Sequence, residues 1–170
     1  MEISIVGRGG PRDRASIPLA TRDGWRIPNE RHEPAPRPLA RTRVEQHMKG
    51  HPSVQLRSAS TSYNCAGLVF ANRRTCVEPM CVPEILRRDG YRQIGIRQAC
   101  RGDVVLYRTP DDEVQHVGIL IERNPDYSTG TWRMSVLSQW GLGGEFIHDL
   151  EDVPPLFGEP TEAWTDRIAM

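Results

Sequence analysis

The chain has 170 residues, and its 22 Lys plus Arg are balanced by 22 Asp plus Glu. That length favours one domain with a sizeable core, and zero net charge leaves no electrostatic footprint for nucleic acid or an anionic membrane. The apolar runs are too short to span a bilayer, and residues 1–8 lack the basic start and apolar core of a secretory signal, so a cytoplasmic location is the default expectation, with other export routes left open.

Residues 1–36 are rich in Gly, Pro and charge and offer little periodic apolar surface. They are expected to form a leader, extended or disordered unless it docks, outside the core of a main domain at 37–170. Ile17, Pro18, Leu19 and Trp25 would suffice to fill a groove if the leader lay across one. Residues 39–48 predict a short helix that stops at Gly50, with Pro52 beyond. The small polar residues 58–62 form a loop, and it leads into Tyr63-Asn64-Cys65-Ala66-Gly67-Leu68-Val69-Phe70.

In this segment a cysteine stands where polar loop gives way to an apolar, helix-like run over residues 65–75. Unpaired N–H groups and the partial positive charge of a helix start favour thiolate over thiol. The thiolate is the reactive form, so Cys65 is a candidate nucleophile. Gly67 costs helix stability relative to Ala, about 1 kcal/mol, and its usual compensation is the close approach of another backbone. Residues 83–89 predict a second short helix, opened by Pro83 and closed by Gly90.

Strands follow at 103–107 and 114–122, joined through a turn at 109–112 as a hairpin. A third strand covers residues 133–140, a glycine loop follows, and Phe146-Ile147-His148 predicts a short fourth. Helices first and an antiparallel meander afterwards make an α+β arrangement. His116, in the second strand, is far from Cys65 in sequence, as a nucleophile and a base brought together by folding would be. Side-chain alternation puts His116 and Gly118 on one face. Gly118 there would leave room for the Cys65 helix, while Val117, Ile119 and Ile121 would fill the opposite layer.

The four cysteines are Cys65, Cys76, Cys81 and Cys100. Cys76 and Cys81 have finger-like spacing, but no second ligand pair follows, so no metal or other cofactor is expected. His32, His47 and His51 read as surface residues. Trp132, Trp140 and Trp164 suit a groove or a packed core equally.

Three motifs in order, Tyr63-Asn64-Cys65-Ala66-Gly67-Leu68-Val69, Gly102-Asp103-Val104-Val105 and His116-Val117-Gly118-Ile119, resemble the NlpC/P60 branch of the papain-like cysteine peptidases. The resemblance covers roughly residues 60–150. It implies a papain-like α+β core and a thiol hydrolase that cleaves a peptide or isopeptide bond through an acyl-enzyme, peptidoglycan stem peptides being the family's usual substrate. Cys65 would attack the carbonyl carbon, and His116 would take its proton and later protonate the leaving amine. Tyr63 and the Cys65 N–H would serve an oxyanion hole. A third polar group would orient the histidine: Gln139, with Ser138 and His148 as competitors. The family commonly has Asp where this chain has Asn64, the 138–148 tract differs from typical wall-acting members, and no wall-binding repeat is present. Alternatives are an acyltransferase or deamidase, a toxin effector paired with a cognate inhibitor or immunity protein, and a catalytically inactive interaction module.

Overall fold

The computed structural model describes residues 16–168. In chain order the elements are β1 (Asn29–Glu30), α1 (Arg37–Gly50), β2 (Gln55–Ser58), α2 (Cys65–Phe70), β3 (Cys76–Val77), α3 (Val82–Arg88), β4 (Arg92–Ile94), β5 (Val104–Arg108), β6 (Val114–Asp126), β7 (Thr131–Gln139), β8 (Glu145–Asp149) and β9 (Glu159–Thr165). The architecture is α+β. Seven strands form one antiparallel sheet in the order β2-β8-β7-β6-β5-β9-β4, and β1 with β3 form a separate two-stranded ladder.

Strands β5 to β8 follow the meander that the sequence predicts, with β6 running on to Asp126 as half of a long hairpin with β7. The sheet is covered on both faces, which is why β5 reads as an unbroken apolar run. Val105 and Tyr107 join one core cluster with Val136, Trp140, Phe146 and Phe157. Val104 and Leu106 join the other, with Cys65, Val82, Ile85 and Val117. The first cluster also holds Val44 of α1, and the second is roofed by α2 and α3.

Helix α2 is shorter than expected, six residues rather than the predicted run to Thr75. Asn72 and Arg73 adopt φ of 48° and 65°, and the Arg73 N–H turns back to the Gly67 carbonyl at 3.1 Å. This left-handed pair ends the helix, and Asn is among the residues that tolerate it best. The return brings Thr75 so close to α2 that a Cβ on Gly67 would stand 1.9 Å from the Thr75 carbonyl oxygen. Gly67 thus has the backbone approach expected of it, from the chain that follows the helix. Gly118 does not make room for α2: a Cβ there would meet Val136 Cγ1 at 2.4 Å and the Leu137 carbonyl at 3.1 Å, on the neighbouring strand.

The described part of the leader docks. Ile27 is 4% exposed and belongs to the Cys65 cluster, and Leu19 and Trp25 pack against it. Asn29 pairs with Val77 in the small ladder, receives the Thr75 hydroxyl at 3.1 Å and donates to the Ile17 carbonyl at 3.0 Å. Leu19, Trp25, Ile27 and Asn29 thus pack against the domain, the docked alternative for residues 1–36; residues 1–15 of that stretch fall outside the described residues. His47 and His51, expected at the surface, present ring edges to buried Trp140 at 5.2 and 5.0 Å.

Candidate active site

Asn64 sets the start of α2. Its Oδ1 accepts the Gly67 N–H at 2.9 Å, as an N-cap does, and also the Val77 N–H at 3.0 Å. Its Nδ2 donates to the Val77 carbonyl at 2.7 Å. One amide side chain thus caps the helix and clasps β3. An aspartate could do the first but has no donor for the second.

This clasp places the Cys65 sulfur against the backbone of β6. The N–H groups of Val117, Ala66 and Cys65 itself point to the sulfur, but burial outweighs them and pushes the thiol up to about 11. The expectation of a thiolate favoured by the helix start is therefore reversed in this conformation. The desolvation cost of a buried anion exceeds what a few backbone N–H groups of a short helix return. Cys65 is 5% exposed.

Val117, whose N–H faces the sulfur, is the residue after His116. The His116 imidazole itself is fully buried, stacked on Phe157 at 4.2 Å between centroids and 10° between planes, with Tyr107 edge-on at 5.3 Å. Neither ring nitrogen has a hydrogen-bond partner. Burial first, and then the neighbouring His148, hold its pKa well below the ordinary histidine value. The expected faces are therefore reversed: Val117 turns toward the Cys65 layer and His116 to the opposite face of the sheet, and no hydrogen bond joins the sulfur and the imidazole. The sulfur packs with Val117 in one cluster, while the ring packs with Tyr107 and Phe157 of the other.

None of the three expected orienting groups bonds His116. Gln139 is buried and its Nε2 donates to the carbonyls of Ser60 at 2.9 Å and Gly141 at 3.1 Å; its Oε1 has no partner. Ser138 and His148 bond each other, Oγ to Nε2 at 2.8 Å. The His148 Nδ1 lies 2.8 Å from the Asp149 carbonyl, which can only accept, so Nδ1 carries the proton and Nε2 accepts from Ser138. Trp140 Nε1 donates to Ser138 Oγ at 3.1 Å and completes a satisfied chain. Tyr63, expected at an oxyanion hole, donates its hydroxyl to buried Glu145 at 2.7 Å, and burial together with that carboxylate pushes it up to about 12.

Glu145, Arg73 and Phe157 are the residues that sequence reasoning missed. Arg73 Nε and Nη2 reach the two Glu145 oxygens at 2.8 and 3.0 Å. That pair balances the buried charge, and Glu145 lies across from Gln139 in the β7–β8 register. Nothing in the sequence marks it, since Arg73 falls where helix was predicted and Glu145 follows the glycine loop. Phe157 lies in a 3-10 turn, Pro155–Phe157, that carries no motif.

All four cysteines are free, and among the described residues no group of three His, Cys, Asp or Glu could hold a metal ion. Among these residues, too, no helix is long and apolar enough to cross a membrane. No family model matches the chain, and neither a curated protein nor a solved structure matches it.

Proposed function

We propose that the protein is a papain-like thiol hydrolase, similar to the NlpC/P60 peptidases, that cleaves an amide bond with Cys65 as nucleophile and His116 as general base. The observation that carries the reading is the His116 imidazole, fully buried with both nitrogens free; it lies on the face of β6 opposite the Cys65 sulfur, so the dyad forms only if β6 rearranges. Leaving a buried polar group unpaired costs about 1–3 kcal/mol, so such groups call for a reason. A base that gains its partner only when the site rearranges supplies one.

In this reaction His116 takes the Cys65 proton as the sulfur attacks the carbonyl carbon. The oxyanion forms beside the N–H groups at the start of α2, which are preorganised there. His116 then protonates the departing amine, and water, deprotonated by the same imidazole, hydrolyses the thioester. The substrate is a peptide or isopeptide, with peptidoglycan stem peptides as the first panel to assay.

Cys65→Ala is expected to abolish turnover of a responsive peptide while leaving the fold intact, with a stability cost of about 1 kcal/mol for the lost sulfur packing. The circular dichroism melt and the hydrolysis rate check the two parts, and turnover near the wild-type rate would end the proposal. A second reading, an interaction module with a vestigial site, is favoured by the protonated thiol and the absent sulfur–imidazole hydrogen bond. Selective iodoacetamide labelling of Cys65 over Cys76, Cys81 and Cys100 separates the readings, because a vestigial buried thiol would label no faster than the others.

A further inference from the structure

Gln139 is fully buried and carries an acceptor that no group of the protein satisfies. Its Nε2 faces the Ser60 and Gly141 carbonyls at 2.9 and 3.1 Å. Those groups can only accept, so the orientation of the amide is fixed and the orphaned atom is its carbonyl oxygen, Oε1. An acceptor left unpaired inside a fold is destabilising, and a donor brought by a ligand is a reason to retain it.

Strand pairing puts this side chain on the face that meets α2. Ile119 pairs with Val104 of β5 and with Leu137 of β7, and Val104 lies in the Cys65 cluster. Leu137 therefore points into the Cys65 layer, and so does Gln139, two residues on. Ser138 between them points the other way, with its partner Phe146. The paired run of β6 and β7 ends at Ile119 and Leu137. Beyond that end β6 turns the Val117 N–H to the Cys65 sulfur, and β7 presents Gln139. On the next strand Glu145, the partner of Gln139, receives the Tyr63 hydroxyl and two nitrogens of Arg73. The Asn64 amide donates to the Val77 carbonyl. The donors that flank Cys65 are thus committed elsewhere, and Oε1 stands on the same face without one.

We propose that Gln139 is a specificity-determining residue: its Oε1 accepts an N–H of the amide bound beside the Cys65 sulfur, so the site takes amides that carry an N–H and discriminates against esters and N,N-disubstituted amides. The inference rests on the Cys65 reading given above and narrows its substrate class. The carbonyl oxygen of the bound amide turns to the N–H groups at the start of α2, and its N–H turns to β7. An ester sets an oxygen against Oε1, acceptor against acceptor. A site built around a hydrogen bond rejects the analogue that lacks it far more strongly than an apolar pocket rejects a missing methylene. This contact is independent of His116, which lies on the other face of β6.

The test uses the full chain and two probes of nearly the same shape: N-methyl iodoacetamide, which has one N–H, and methyl iodoacetate, which has an ester oxygen in its place. With either probe the Cys65 sulfur forms the S–C bond, the C–I bond breaks, iodide leaves with the electron pair, and the thiol proton passes to water. Peptide mass mapping gives the alkylation rate at each cysteine. The half-buried Cys81 and Cys100 of the same chain serve as the reference for the intrinsic reactivity of the two probes. The amide-to-ester rate ratio at Cys65 is expected to exceed the reference ratio about 5-fold, the effect of one hydrogen bond. In Gln139→Met it should fall to the reference. Equal ratios at Cys65, Cys81 and Cys100 in the unaltered chain overturn the inference, and that arm stands even if Gln139→Met fails to fold. A preference that survives in folded Gln139→Met overturns it as well. Alkylation involves neither hydrolysis nor His116, so the two readings fail separately. Undiminished hydrolysis by Cys65→Ala would end the peptidase reading, while the alkylation ratio alone decides the acceptor role of Gln139.

Discussion

His116 and His148 are buried as neutral imidazoles. The pKa of His116 is held well below the ordinary value by burial and then by His148, and His148 is lowered to about 4, chiefly by burial. Both depressed values belong to the folded state. The unfolded chain therefore binds more protons than the folded one between the folded values and the ordinary value of about 6.5. Their contribution to stability is complete above pH ~6.5 and is lost as pH falls toward the folded values, each residue giving a slope of about 1.4 kcal/mol per pH unit. Urea midpoints measured from pH 7 to 4 should fall accordingly. His116→Leu should remove about one proton from that slope and leave the variant relatively more stable at pH 5. A slope unchanged by His116→Leu would show that His116 is not buried neutral. At Asn64 the prediction concerns hydrogen bonding rather than titration. Asn64→Asp keeps the cap but sets a carboxylate oxygen against the Val77 carbonyl in place of a 2.7 Å hydrogen bond. The expected loss is about 1–3 kcal/mol by denaturant titration, and no loss would mean that the clasp is not needed to seat Cys65.

At the scale of elements, α2 illustrates how far the sequence could be read. Its start was legible, because a polar loop, a capping residue and an apolar run are local signals. Its end was not, because Asn72 and Arg73 enter the left-handed region to bring Arg73 onto Glu145, a contact across the fold. Strand β9 escaped for a similar reason. Its sequence, Glu159-Pro160-Thr161-Glu162-Ala163-Trp164-Thr165, has a proline and buries only Ala163 and Thr165. Pro160 is tolerated because it pairs with Tyr107 next to a break in register, the setting in which a sheet accepts proline. Strand alternation was legible over β6, but not which face meets α2: the sequence set His116 toward the Cys65 helix and Val117 away from it, and the structure reverses the two. Phe157, which takes the imidazole, lies in a turn without any periodic signal. Gly67→Ala tests the packing of α2 directly. The new Cβ would overlap a backbone carbonyl rather than a flexible side chain. The helix must shift away from Thr75, at an expected cost of about 1–3 kcal/mol, and the Cys65 sulfur must move with it. A circular dichroism melt gives the first effect and Cys65 labelling kinetics the second; a variant as stable as wild type would mean that the 75–77 segment yields freely.

At the scale of the whole molecule, one sheet separates two core layers, and the docked segment from residue 16 onward helps to close the layer that holds Cys65. Its composition, rich in proline and charge, hides this, because burial is concentrated in a few side chains rather than in a periodic face. Ile27 is the decisive one. It is nearly fully buried among the α2 and α3 side chains, next to the ladder in which Asn29 pairs with Val77. The same β3 residue is clasped by Asn64, so the segment is linked through Val77 to the start of the Cys65 helix. Truncating a buried Ile to Ala typically costs about 2–5 kcal/mol, a large share of a domain's ~5–15 kcal/mol. Ile27→Ala is therefore expected to lower the melting temperature by several degrees, and deletion of residues 1–36 to lower it further or to prevent folding. The two measurements together decide the status of the segment. A deletion variant that melts with wild-type cooperativity and within a degree or two of the full chain would show that the segment only rests on a self-sufficient domain. A cooperative loss in both variants, with Cys65 labelling faster at a temperature where Ile27→Ala is still folded, would show that the segment and the thiol belong to one packed layer.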